Sequence, residues 1–134
     1  NQIICSVADL IYPEMEKTIS KNEDFTGHDG VFLINVADVP NYIEEFEPQI
    51  MRYDKRTRLS YKNVINFGMS KGLTFERTLL FPTGKIKTAL KVNVMSECGA
   101  KAKFYVALTR AKYSVAIVYN GKTEIDGIIR YRYD

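Results

Sequence analysis

Cysteine, histidine and long apolar runs are all scarce in this chain of 134 residues. The two cysteines, Cys5 and Cys98, lie far apart and neither has a partner in CxxC spacing. That excludes a disulfide framework, argues against a zinc site, and fits a reducing, cytoplasmic setting. The single histidine, His28, sits beside Asp29 in a polar stretch, where a lone imidazole reads as a solvated turn residue with no chemistry assigned to it. No apolar run approaches the roughly 20 residues needed to cross a bilayer, and the longest, 113 to 119, has the size of a strand; no membrane partner is expected. Also missing is an initiating methionine. The chain begins at Asn1 with no charged, apolar and small-residue leader, as expected of a piece of a longer protein.

What is present is enough for one domain, 1 to 134, with a real core: 46% of residues are hydrophobic and 26% charged. The formal net charge of +3 conceals a split, with two basic and ten acidic residues in 1 to 50 against seventeen and six in 51 to 134. Such a division suits a chain with one face toward a polyanion, although a charge run by itself is more often a solvated face.

Ile3, Ile4, Val7, Leu10 and Ile11 recur at helical spacing up to Pro13, so the chain opens in an amphipathic helix. Residues 22 to 30 read as a loop, 31 to 36 as a buried strand, and 39 to 46 as a helix with Asp38 near its start. A strand at 50 to 53 leads into a basic, irregular loop from Arg52 to Lys62. Residues 64 to 67, 78 to 81 and 113 to 119 are short runs rich in β-branched and aromatic residues, which suits a parallel sheet covered on both faces. From 100 to 112 the apolar residues Phe104, Ala107, Leu108 and Ala111 share a helical face, with Lys103 and Arg110 together on its flank. Asn120-Gly121 between two apolar runs is a two-residue hairpin signal, so the sequence predicts a mostly parallel α/β sheet flanked by helices, closed by a C-terminal antiparallel hairpin.

Thr83-Gly84-Lys85 imitates the end of a phosphate-binding P-loop, but position 79 is Leu where the loop needs glycine, and Ile86 stands where the magnesium-binding hydroxyl belongs. No Walker A is present. Residues 66 to 82, NFGMSKGLTFERTLLFP, are more informative. A strand delivers a turn in which Gly68 and Gly72 permit close backbone approach, Ser70 supplies a hydroxyl and Lys71 a cation, groups suited to a phosphate of a nucleotide or of a nucleic-acid strand. A second segment, 103 to 118, KFYVALTRAKYSVAIV, places Arg110 before a buried strand. A guanidinium fork stays charged at working pH and matches the oxygens of a transferring phosphoryl group, although an arginine at a helix end is commonly a dipole contact.

In this order the two segments resemble motifs V and VI of superfamily 1 helicases of the UvrD/Rep type. Ser70 to Leu73 with Phe75 resembles the SKGLxF core of motif V, and Tyr105 to Ala111 is similar to the YVALTRA core of motif VI; Asn1 to Ile11 resembles the helix after the arginine of motif IV. The resemblance implies the second, C-terminal RecA-like motor domain of an ATP-dependent DNA helicase or translocase. Arg110 is then its catalytic residue, an arginine finger reaching the γ-phosphate of ATP held by the preceding domain. Gly72 and Thr74 belong with Arg110 to the ATP site, Thr74 standing where many members carry a ribose-contacting glutamate. Gly68, Met69, Ser70 and Lys71 belong to the single-stranded DNA track, Gly68 replacing a histidine found in many members. ATP and Mg2+ are expected to be bound mainly by an N-terminal RecA-like domain of the same protein, so this chain alone is expected to be inactive. The short separation between the opening helix and motif V implies the lack of a conventional 2B insertion. The alternative is a catalytically inactive, helicase-derived module that binds nucleic acid or a partner protein.

Overall fold

The computed structural model describes residues 1–21 and 24–132. Six strands form one sheet in the order β3-β2-β4-β5-β1-β6, and every pairing is parallel. The strands are β1 (Gly30–Ile34), β2 (Gln49–Arg52), β3 (Val64–Asn66), β4 (Phe75–Phe81), β5 (Ala111–Val118) and β6 (Ile128–Arg130); the helices are α1 (Gln2–Asp9), α2 (Val39–Phe46), α3 (Gly84–Val92) and α4 (Lys101–Leu108).

Near-continuous burial of β1 and the second half of β5 follows from helices on both faces, as their apolar runs require. Alternation divides the side chains. Val31, Leu33, Met51, Leu80, Val115 and Ile117 meet α1, α3 and α4 on one face, where Ile4, Val7, Leu90, Phe104 and Leu108 complete the larger core. On the opposite face Ile34, Ile50, Leu79, Ala116 and Val118 pack with Val39 and Tyr42 of α2. Two of the helices carry side-chain caps: the Asn1 side chain accepts from the N–H groups of Ile3 and Ile4, and Thr83 from that of Ile86. Thr83-Gly84-Lys85 is thus a helix start.

The α/β class and its parallel sheet agree with the sequence reading, but the antiparallel hairpin does not form. β5 already lies between β4 and β1, so it has no free edge to accept a returning strand. Asn120 instead accepts the Val36 N–H at 2.8 Å, and Arg130 holds the carbonyls of Tyr119, at 2.7 Å, and of Gly121. Residues 122 to 126, polar except for the buried Ile125, then cross to the outer side of β1, where Val31, Phe32 and Leu33 pair in parallel with Ile128, Ile129 and Arg130. The strand expected from Thr123 shrinks to the three residues of β6.

Candidate functional site

All strands being parallel, their N-termini share one edge of the sheet and their C-termini the other. The segment 67–74 leaves the C-terminal end of β3 and reaches the N-terminal end of β4 by passing across β2, and so joins the two edges. It opens as a 3-10 turn, Phe67–Met69, anchored by the fully buried Phe67.

At the N-terminal edge, residues of the segments 66 to 82 and 103 to 118 meet. The Phe75 N–H donates to the Arg110 carbonyl at 2.8 Å, and the Arg110 guanidinium approaches the Leu73 carbonyl at 3.5 Å. The remaining donors of the fork turn inward, Nε to the Val106 carbonyl at 3.0 Å and Nη2 to Thr109 Oγ1 at 3.1 Å. Arg110 lies past the last turn of α4 and Lys103 lies in its first turn, so they do not share a flank of the helix; they stand at opposite edges of the sheet. The exposed Thr74 lines a cleft of about 800 Å³ together with Phe46, Gln49, Lys62, Glu76 and Arg77. Phe75, whose N–H is bonded to the Arg110 carbonyl, also lines this cleft.

Of the turn residues, Gly68, Met69, Lys71, Gly72 and Thr74 are exposed. Gly72 has φ +83°, the left-handed conformation that glycine adopts without strain, whereas Gly68 lies in the 3-10 turn with no such need. Ser70 departs from the expectation. It is fully buried, and its Oγ donates to the Phe67 carbonyl at 2.6 Å, so the hydroxyl closes the turn and presents nothing to a ligand. β3, from which the turn springs, is a half-buried edge strand and no central one. Lys71 remains an exposed cation.

His28 also differs from the sequence reading. Its ring stacks at 4.1 Å on both Phe32 and Phe46, meets Tyr131 edge-on, and shares a 2.8 Å hydrogen bond with the Tyr42 hydroxyl. Burial first, and the nearby Arg77 second, push its pKa down to about 4, with Asp29 opposing. Arg77 binds the His28 carbonyl, Thr26 Oγ1 at 2.8 Å and Ser114 Oγ at 2.9 Å, tying the 24–29 loop to β4 and β5. No spacing in the sequence announces this cluster, whose members come from a loop, α2, three strands and the chain end. Among the described residues no group of three His, Cys, Asp or Glu side chains could hold a metal ion, both cysteines are free, and no helix is long and apolar enough to cross a membrane.

No protein-family model and no curated protein matches the chain. Among solved structures it is similar to PRRSV nsp10 (helicase), with a TM-score of 0.54 and 21% identity, over 88% of this chain and 22% of that one. It is also similar to an arterivirus nonstructural protein 10 (helicase), with a TM-score of 0.48 and 19% identity over 87% and 22% of the two chains. A third likeness is to the C-terminal domain of a possible DNA helicase from Lactobacillus plantarum, with a TM-score of 0.31 and 17% identity over 90% and 68%. The chain thus spans about a fifth of the length of the first two structures. The likeness to PRRSV nsp10 shows the fold: a RecA-like α/β sheet flanked by helices, of the kind that a helicase contains.

Proposed function

We propose that this chain is the second RecA-like motor domain of an ATP-dependent superfamily 1 helicase or translocase, and that it completes a nucleotide site built chiefly on another domain of a longer protein. The observation that carries the reading is the meeting of Arg110 with Leu73 and Phe75, which brings the two helicase-like motifs together at one edge of the sheet. Arg110 is the arginine finger in this reading. Its fork turns from the Val106 carbonyl toward the γ-phosphoryl oxygens when the domains close, offering several donors where negative charge spreads in the transition state. Thr74 and the backbone at Gly72 lie along the nucleotide side, and Gly68, Met69 and Lys71 along the single-stranded nucleic acid. ATP supplies the transferable phosphoryl group, and the Mg2+ that accompanies it is held by the partner domain.

In this reading the turn couples the nucleic-acid strand to the nucleotide site, and the segment 67–74 supports it, since one short stretch of chain touches both edges of the sheet. In the longer protein, Arg110→Ala is expected to lower ATP turnover on the order of 10³-fold while single-strand affinity persists. Comparing DNA with RNA strands in the same assay assigns the track. Near-normal turnover would favour a second reading, supported by the inward hydrogen bonds of Arg110: a binding module in which that residue only closes a helix end.

A further inference from the structure

The C-terminal edge of the sheet carries a second cluster, outside the turn. Tyr53 follows β2 with its ring half-buried; Lys103 Nζ lies 4.8 Å from the ring centroid on one side, and Phe67 meets the ring edge-on at 6.2 Å. The same ring lines a cavity of about 450 Å³ with Thr83, Lys85, Cys98 and Phe104. No acidic side chain lines this cavity, and Lys85 and Lys103 are exposed beside it. A lysine stem resting on a tyrosine is common surface packing. Here it also borders an open, small-ligand-sized cavity with apolar walls and a cationic rim.

Two neighbours extend the cluster. Gly68 opens toward Lys103, whose Cε would lie 3.6 Å from a Cβ placed there, so the exposed Met69 and the motif V turn begin beside the ring. The chain leaving Tyr53 adds the exposed Lys55, Arg56 and Arg58, and the acid there, Asp54, is already bound to Arg56 at 2.8 Å.

We propose that Tyr53 is a base-stacking platform for single-stranded nucleic acid, with Lys103, Lys85 and Arg58 meeting the flanking phosphates. The proposal rests on reading the chain as part of a nucleic-acid motor, and carries the strand beyond the Gly68–Lys71 turn. An aromatic face accepts any base and cations spaced around it follow the backbone, the combination by which single strands are held without regard to sequence. A cationic surface alone would also attract an acidic peptide; the half-buried tyrosine ring that lines the cavity beside these cations favours a base.

The 134-residue chain contains no tryptophan, so Tyr53→Trp creates a sole reporter. Oligothymidylate of about 15 nucleotides should quench its emission, and an abasic strand of equal length should not. Tyr53→Leu should weaken oligothymidylate binding about tenfold or more, and Lys103→Met, which leaves the core intact, should lower the salt slope by about 0.7. Equal quenching by both strands, quenching by polyglutamate, or an unchanged Lys103→Met slope would overturn the platform. Should Arg110→Ala abolish turnover in the longer protein while the Tyr53 and Lys103 variants bind normally, the platform falls and the motor reading stands. Base-dependent quenching combined with normal turnover in Arg110→Ala supports the platform and removes the motor.

Discussion

Leu73 and Arg110 touch across 37 positions of sequence: the guanidinium lies 3.5 Å from the Leu73 carbonyl, and the same arginine accepts the Phe75 N–H at 2.8 Å through its own carbonyl. The backbone bond fixes where the side chain starts, and the fork is held inward by Nε on the Val106 carbonyl at 3.0 Å and Nη2 on Thr109 Oγ1 at 3.1 Å, with only the Leu73 contact long. In the proposed arginine-finger role the fork exchanges these bonds for the oxygens of a group supplied from outside.

Shape as well as charge matters in that role. In the longer protein, Arg110→Lys is expected to recover little of the turnover lost in Arg110→Ala, because an ammonium is a point charge and does not present the planar fork. Steady-state kcat for the two variants decides it, and near-wild-type kcat with lysine would mean that charge alone suffices.

The 134-residue chain by itself is expected to hydrolyse no ATP, since Thr83-Gly84-Lys85 is a helix start and offers no phosphate cradle. Phosphate release by the purified chain, abolished by Arg110→Ala, would show that a complete site lies within these residues.

Ser70→Ala tests the inward serine. Its buried hydroxyl bond to Phe67 is expected to contribute about 1 kcal/mol, read as a lower urea midpoint, while affinity for single strands stays unchanged. The Phe67 carbonyl keeps the Ser70 N–H at 3.1 Å, which holds the cost to that size. Selective loss of strand affinity with unaltered stability would place the hydroxyl on the ligand side after all.

His28 makes stability depend on pH. Its folded pKa of about 4 lies below the ordinary value of 6.5, so between these values the unfolded chain binds a proton that the folded chain refuses. Stability from this group is therefore complete above about pH 6.5 and declines as pH falls toward 4. Urea midpoints near pH 7 and near pH 5 should differ more for wild type than for His28→Phe, which preserves the stacking and does not titrate. An identical difference in both proteins would rule His28 out as the source.

Much of the architecture was written locally. Apolar runs of strand length predict strands buried from both sides, and the 3.6-residue spacing of Phe104, Ala107 and Leu108 predicts the face that α4 buries. Short glycine-punctuated turns and the order of the two motifs are likewise local, which is why the α/β class, the exposed basic loop and the candidate arginine were legible before any pairing was known. Whatever depends on which elements become neighbours was not. Asn120-Gly121 has hairpin chemistry, yet the edges of β5 belong to β4 and β1, and that occupancy exists only once the sheet is assembled. His28 has the neighbours of a solvent loop in sequence, and acquires Phe32, Phe46 and Tyr42 because the chain folds β1 beside α2. Ser70 turns inward because Phe67 anchors its turn in the core, and Tyr53 receives Lys103 because α4 runs back along the sheet. The sequence by itself determined most of the elements, though not α3 or the short β6, and the segment that carries Arg110; the tertiary structure alone decided which side chains are exposed and which are neighbours, because exposure and contact arise from long-range packing that local propensity does not encode.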